Sequence, residues 1–257
     1  WLDLLESHPE YHDKVEFEIV PTCMAFDFEE EDKRLKLGDF NSDEVELLRK
    51  NLLELTDEMI TQRSISIAGE MEKVHSLWDY QSLKDNELSG LLRIKCLLDS
   101  CREYGVLPFS NIARCAFVAK AILNSLIKRS VLTSDDVNNI SRSIRTIATD
   151  IVVDIMRVHK GELTREEFLK TNGHLRPGTY DITSPRYDEE PELYLGVQKS
   201  SCEFDFENTE FILSSVQKEQ ISILLKTSGF TATTEQLMAF IVETIRGREN
   251  TKFAFTH

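Results

Sequence analysis

The chain has 257 residues, 41% of them hydrophobic, and a formal net charge of −15. That length holds one large domain or two small ones with ample core, and the hydrophobic share excludes an intrinsically disordered chain. The charge excludes a nucleic-acid backbone or an anionic membrane as a general partner, leaving room only for a local basic pocket. The five cysteines, Cys23, Cys96, Cys101, Cys115 and Cys202, are odd in number and form no C-x-x-C. Three of them sit in apolar helical patterns, which predicts buried, reduced thiols in a cytoplasmic protein. The sequence opens at Trp1 without a basic-then-apolar leader and shows no uninterrupted apolar run of membrane length. It closes on Phe253-Ala254-Phe255-Thr256-His257, a pattern that reads as unfinished, so a piece of a longer protein is expected.

In chain order, residues 14 to 28 alternate in the manner of a strand: Val15, Phe17 and Ile19, then Met24, Phe26 and Phe28 after Pro21. The acidic run Asp27 to Asp32 is most simply a solvated loop. A helix starts near Asn41, with Asp43 and Glu44 favouring its N-terminus and Val45, Leu48, Leu52, Leu55 and Met59 forming its apolar stripe. A shorter helix covers Glu70 to Trp78. The next runs from about Asn86 to Tyr104, carries Leu88, Leu91, Leu92, Ile94, Leu98 and Cys101, and ends at Gly105 as C′ residue.

After Pro108 comes the most apolar helix, Phe109 to Lys128, whose alanines permit close approach of neighbours at the centre of a bundle. Thr133 and Asp136 cap a helix predicted from Ser134 to His159, with a stripe from Val137 and Ile140 through Ile144, Ile147 and Ile151 to Ile155 and Val158. Thr164 and Glu167 cap a short helix that leads into Gly173. Asp188 to Glu192 reads as an acidic surface loop. Two helices close the chain, Glu210 to Lys226 and Thr233 to Arg246, separated by Gly229, with Thr233 and Gln236 capping the second. A second Phe/acid alternation, Cys202 to Phe206, could pair with the first. The fold class is therefore mainly α, a multi-helix, bundle-like domain with a small minor β element. Its expected organisation is a strand-containing segment at residues 1–40 packed on a helical domain at 41–257.

The densest chemistry lies in Gly173-His174-Leu175-Arg176-Pro177-Gly178-Thr179-Tyr180-Asp181-Ile182-Thr183-Ser184-Pro185-Arg186-Tyr187. Glycines and prolines fix tight turns there, and His174, Arg176, Arg186, Tyr180 and Tyr187 suit recognition of a phosphate or carboxylate. The alternative is a turn locked by Asp181 pairing with Arg176 or Arg186, which orders a connection and binds nothing. His8 and His12 have the spacing of metal ligands on one helical face, but Pro9 lies between them. Asp150 and Asp154 share a face at the same spacing, and Arg142, Arg145 and Arg157 on that helix favour ordinary ion pairs over acid–base work. No glycine-rich loop followed by Lys and Ser/Thr is present, no G-x-S-x-G, and no Cys/His pair with the context of a nucleophile.

Three stretches carry a family resemblance. Leu107-Pro108-Phe109-Ser110-Asn111-Ile112-Ala113-Arg114-Cys115-Ala116-Phe117, the Gly173–Tyr187 motif and Arg248-Glu249-Asn250-Thr251-Lys252-Phe253 resemble the central helical region of phosphoenolpyruvate synthase-like phosphotransferases, a group that includes rifamycin phosphotransferases. The resemblance implies an α-rich central segment of a cytoplasmic, multidomain enzyme. An ATP-grasp-like domain and a swivelling phosphohistidine domain of the same chain would be its partners. ATP and Mg would be needed by the whole protein and no cofactor by this segment. It would bind a small-molecule acceptor such as pyruvate through His174, Arg176, Arg186 and Tyr187, with no catalytic residue and no metal of its own. Nucleic acid and membrane are not expected partners. Asn172 stands where an aromatic precedes the Gly-His pair and Leu175 displaces the arginine by one, departures that leave the acceptor open. The competing expectation is a helical interaction or scaffold module that binds a protein through an exposed apolar groove.

Overall fold

The structure, a computed structural model, describes residues 21–84, 90–176, 183–196 and 211–255. Every regular element among them is a helix, so the mainly α, multi-helix class holds. α1 covers Phe28–Leu37, α2 Ser42–Ile60, α3 Ile67–Lys84 and α4 Gly90–Ser100. A π-helical stretch, Cys101–Val106, leads directly into α5, Leu107–Lys128. α6 is Ser134–Ser143, α7 Ile147–Lys160, α8 Arg165–Asn172, α9 Pro191–Leu195, α10 Ser215–Ser228 and α11 Thr234–Phe255. The chain divides into two units. One comprises Trp1–Gly69, Asn111–Ser141 and Phe211–Ile245, the other Glu70–Ser110, Arg142–Glu210 and Arg246–His257.

Side-chain caps set where the helices begin, because the first N–H groups of a helix have no partner within it. Asn41 Oδ1 accepts from the Asp43 and Glu44 N–H groups while Glu44 accepts from the Asn41 N–H, closing a capping box on α2. Thr133 and Asp136 do the same for α6, Thr164 and Glu167 for α8, and Thr233 and Gln236 for α11. Gly161 and Gly229 end α7 and α10 with φ of 74° and 90°, the left-handed region where a Cβ is penalised.

Four expectations are corrected. The minor β element is not found among the described residues; Val15, Phe17, Ile19 and the Cys202 to Phe206 alternation lie outside them. Met24, Phe26 and Phe28 are alternately buried as a strand would have them, yet the Met24 and Phe26 N–H groups bond to side chains instead of to another strand, and Phe28 opens α1. The acidic run belongs to α1 and is not a loop: Glu29, Glu30 and Glu31 fill its first turn, where the helix dipole favours carboxylates. Gly105 does not end a helix. It sits buried in the π-helical stretch, where the Leu107 N–H reaches back to the Arg102 carbonyl and the widened turn accommodates Pro108, which has no N–H to offer. The helix therefore runs unbroken from Gly90 to Lys128, long and apolar enough to cross a membrane by length and composition, although charged residues such as Arg114 and Lys120 interrupt its apolar run. Finally, the helix expected from Ser134 to His159 breaks at Ile144–Thr146, because the Thr146 side chain accepts from the Thr149 N–H and starts α7 afresh.

In the first unit, buried hydroxyls and one carboxylate hold irregular chain against helices. Thr56 Oγ1 donates to the Leu52 carbonyl (2.7 Å) and accepts from the Met24 N–H (2.9 Å). Ser125 likewise donates to the Ile122 carbonyl (2.7 Å) and accepts from the Phe26 N–H (3.2 Å). Asp57, 4% exposed, accepts from the Thr231 N–H (2.8 Å) and hydroxyl (2.5 Å), from the Ala232 N–H (3.0 Å) and from Arg63 (2.8 Å). Around these bonds lie Leu52, Met59, Ile122, Leu126, Ile221, Leu225, Phe240 and Ile241, all buried, and Phe26 meets Phe230 edge-on at 5.9 Å. Cys115 is buried here and Cys23 is half-buried; burial, with the Asp27 carboxylate adding, pushes the Cys23 thiol up to about 11. Buried apolar side chains of the second unit include Val74, Leu77, Ile144, Phe168 and Leu195.

Asp57→Ala leaves two backbone N–H groups of the Thr231–Ala232 loop without an acceptor, so a loss of about 3 kcal/mol is expected in urea denaturation, with an unchanged slope. A loss below about 1 kcal/mol would show that the clamp is dispensable.

Candidate functional site

The motif that stands out in the sequence lies in the second unit, and its two limbs are joined by backbone bonds. The Gly173 N–H donates to the Leu169 carbonyl (2.8 Å), ending α8. The Tyr187 N–H then donates to the Leu175 carbonyl and the Asp188 N–H to the Gly173 carbonyl, each at 3.0 Å. This pairing sets Arg176 and Arg186 side by side. A Cβ on Gly173 would run into the Leu169 carbonyl oxygen and lie 3.1 Å from the Asp188 Cβ, so the close approach of the limbs requires glycine there.

Acids of the run expected as a surface loop hold the arginines. Arg186 forks Asp188 through Nε (2.9 Å) and Nη2 (3.1 Å) and reaches Glu189 at 3.4 Å. Arg176 donates to the Ser184 carbonyl and lies 3.9 Å from the same Glu189. Glu189 also accepts from the Arg186 backbone N–H (2.8 Å). That bond first, and the two guanidiniums after it, hold its carboxyl below the usual carboxylate range. The spacing of Arg186 from Asp188 and Glu189 was the available signal. Pro177 to Ile182, including Tyr180 and the Asp181 expected to lock the turn, lie outside the described residues.

Tyr187 serves as the hydrophobic pin of the turn. Its ring meets Phe168 of α8 edge-on at 5.4 Å and Tyr194 of α9 at 5.0 Å, and the Tyr194 hydroxyl donates to the Pro185 carbonyl (2.9 Å). Burial, with Tyr194 beside it, raises the Tyr187 phenol above its ordinary value. Arg165 of α8 ties down α9 from the other side, through Glu192 (2.5 Å) and the Leu195 carbonyl (3.1 Å). His174 is half-buried with its ring edge-on to Phe253 at 5.2 Å. All four expected site residues, His174, Arg176, Arg186 and Tyr187, thus fall in one small region. Among the described residues of the region, the arginines bring two guanidiniums to one carboxylate.

The other constellations are placed less suggestively. Asp150 pairs with Arg145 (2.6 Å) and Asp154 with Arg157 (2.9 Å). His8 and His12 lie outside the described residues. Among the described residues no group of three or more His, Cys, Asp and Glu side chains could hold a metal ion. Arg248 to Phe253 lies within α11, near its C-terminal end.

Gly173→Ala is expected to cost about 2 kcal/mol through overpacking, and Tyr187→Ala a similar amount through the lost ring contacts. Thermal denaturation of the two variants checks this. Near-neutral effects would mean that the turn is not locked by the contacts described.

No family model, curated protein or solved structure matches this chain.

Proposed function

We propose that this chain is a helical interaction module that docks a partner protein through α4. One observation carries the reading. Leu91 is 84% exposed, Leu92 65%, Ile94 55% and Leu98 65%, a concentration of aliphatic side chains in water along a single helix. Such a patch loses about 25 cal/mol of stabilisation for each Å² left uncovered, and contiguous patches of this kind mark interaction sites. Leu91, Ile94 and Leu98 recur at three and four residues, the spacing by which one helix seats in a groove of another protein. Arg93 and Lys95 flank them, so a matching groove carries carboxylates at its rim. Locked arginines in the Gly173–Tyr187 turn fit the same reading, since a scaffold needs ordered connections more than an anion site.

The experiment is site-specific photocrosslinking in the native cell. A probe at Leu92 is expected to give an adduct of defined mass that a probe at exposed Lys120 does not give, and that Leu98→Glu removes. Because Leu98 is exposed, that substitution should change stability by no more than about 0.5 kcal/mol. Identical adducts from both probes, or transfer of the Leu92 probe to lipid alone, overturn the reading.

A second reading rests on the two guanidiniums converging on Glu189. If Glu189 withdraws, Arg176 and Arg186 hold the arrangement that binds an acceptor carboxylate or phosphate. That fits the acceptor-binding and domain-linking segment of a phosphoenolpyruvate synthase-like phosphotransferase. The whole protein would move phosphate from ATP through a histidine to an acceptor such as pyruvate. Glu189→Gln should then bind pyruvate or inorganic phosphate about tenfold more tightly than the unaltered chain by calorimetry. Absence of binding in both proteins counts against an acceptor site.

A further inference from the structure

The first unit contains an open cavity of about 380 Å³, bounded by residues 24–28, α1, α2 and the end of α10. Its size falls in the range of small-molecule sites. The apolar part of its wall comes from Met24, Phe26, Phe28 and Leu224. The charged part is balanced, with Arg49 and Arg129 against Glu29 and Asp32.

These charges are anchored without being buried. Arg129 donates to the Phe26 carbonyl (2.6 Å) and pairs with Glu29. Arg49 forks Glu46 (2.8 and 2.7 Å), and Asp32 pairs with Lys36 (2.9 Å). Each contact orients a head group while leaving it open to solvent on another side, so little ordering remains to be done when a ligand arrives. The last turn of α10 also lines the cavity at Thr227 and Ser228, and the C-terminal end of a helix favours a positive charge.

Charge selects the ligand class. A simple anion meets Glu29, Asp32 and the field of a chain carrying −15. A simple cation meets two guanidiniums. A zwitterion satisfies both signs, and the adaptable Met24 with the ring of Phe26 suits an apolar or aromatic body. We propose that this cavity binds a free α-amino acid with a large apolar side chain, its carboxylate toward Arg49 and Arg129 and its ammonium toward Glu29 and Asp32.

The test is an amide NMR titration of the full chain with L-phenylalanine, 3-phenylpropionate and phenethylamine. L-Phenylalanine is expected to shift the Ala25, Glu29 and Ser228 amides, and each half-ligand, lacking one charge, to bind about tenfold more weakly. Arg49→Met and Glu29→Gln alter one half-buried and one exposed surface side chain, so the helical circular dichroism should persist while L-phenylalanine affinity falls about tenfold. Leu224→Trp fills the space and should abolish the shifts. The proposal is overturned by absence of shifts at about 10 mM ligand, by equal binding of the three compounds, or by binding that Arg49→Met and Leu224→Trp leave intact.

Discussion

Irregular backbone in the core of the first unit must find hydrogen-bond partners away from water, and consecutive residues of α2 supply them. A buried N–H left without an acceptor costs about 1–3 kcal/mol, so chain that is neither helix nor strand can enter a core only where side chains receive it. Thr56 takes the Met24 N–H, and Asp57 takes the Thr231 and Ala232 N–H groups. Neighbours on a helix point about 100° apart, which lets a single turn of α2 hold two segments far apart in sequence. Ser125 on α5 completes the set for the Phe26 N–H. The ring contact between Phe26 and Phe230 then joins the two segments to each other, so the polar bonds fix the register in which the apolar contacts form.

A different solution operates in the second unit, where the Leu175 and Gly173 carbonyls take the Tyr187 and Asp188 N–H groups across two limbs. Carboxylates of the chain neutralise both guanidiniums. Exposed pairs of this kind add little stability each, and the edge-on rings of Phe168, Tyr187 and Tyr194 supply more. The density of Gly, Pro, His and Arg that marks this stretch serves turn chemistry in the first instance. Any anion entering between Arg176 and Arg186 has to compete with Glu189, a carboxylate already in place and held in its ionised form.

Four helix starts were legible because capping is local: Asn41, Thr133, Thr164 and Thr233 each announce themselves by a partner three residues on, whereas α10, expected from Glu210, starts at Ser215 behind a box of Ser214 and Gln217. Apolar period was also informative, since Val45, Leu52 and Met59 are buried as their spacing predicts, although Leu55 is exposed and Thr56 and Asp57 take core positions. What escaped sequence reading depended on partners elsewhere. The alternation of Met24, Phe26 and Phe28 gave the correct buried face and the wrong element, because period 2 reports which side chains are covered and not what the backbone bonds to. Gly105 and Pro108 look like punctuation, yet Gly105 lies in a π-helical stretch and Pro108 in the first turn of α5 that follows it directly. The acids that hold Arg176 and Arg186 were visible as an acidic run, with nothing local to say that the run folds back on the turn before it.

The apolar character of the continuous helix from Gly90 to Lys128 has two outcomes along its length. In α5, Ile112, Ala119, Ile122 and Leu126 are fully buried. In α4, Leu91, Ile94 and Leu98 occupy one face at comparable hydropathy and stand in water. Sequence periodicity cannot separate these outcomes, because burial in a core and burial in an interface remove apolar area from water by the same physics. What separates them is the neighbourhood. α5 is rich in alanine, which lets adjacent backbones approach closely, whereas α4 presents the larger aliphatic side chains of Leu91, Leu92, Ile94 and Leu98 to water. The exposure of these aliphatic side chains is the physical basis for the proposal that α4 is a contact face.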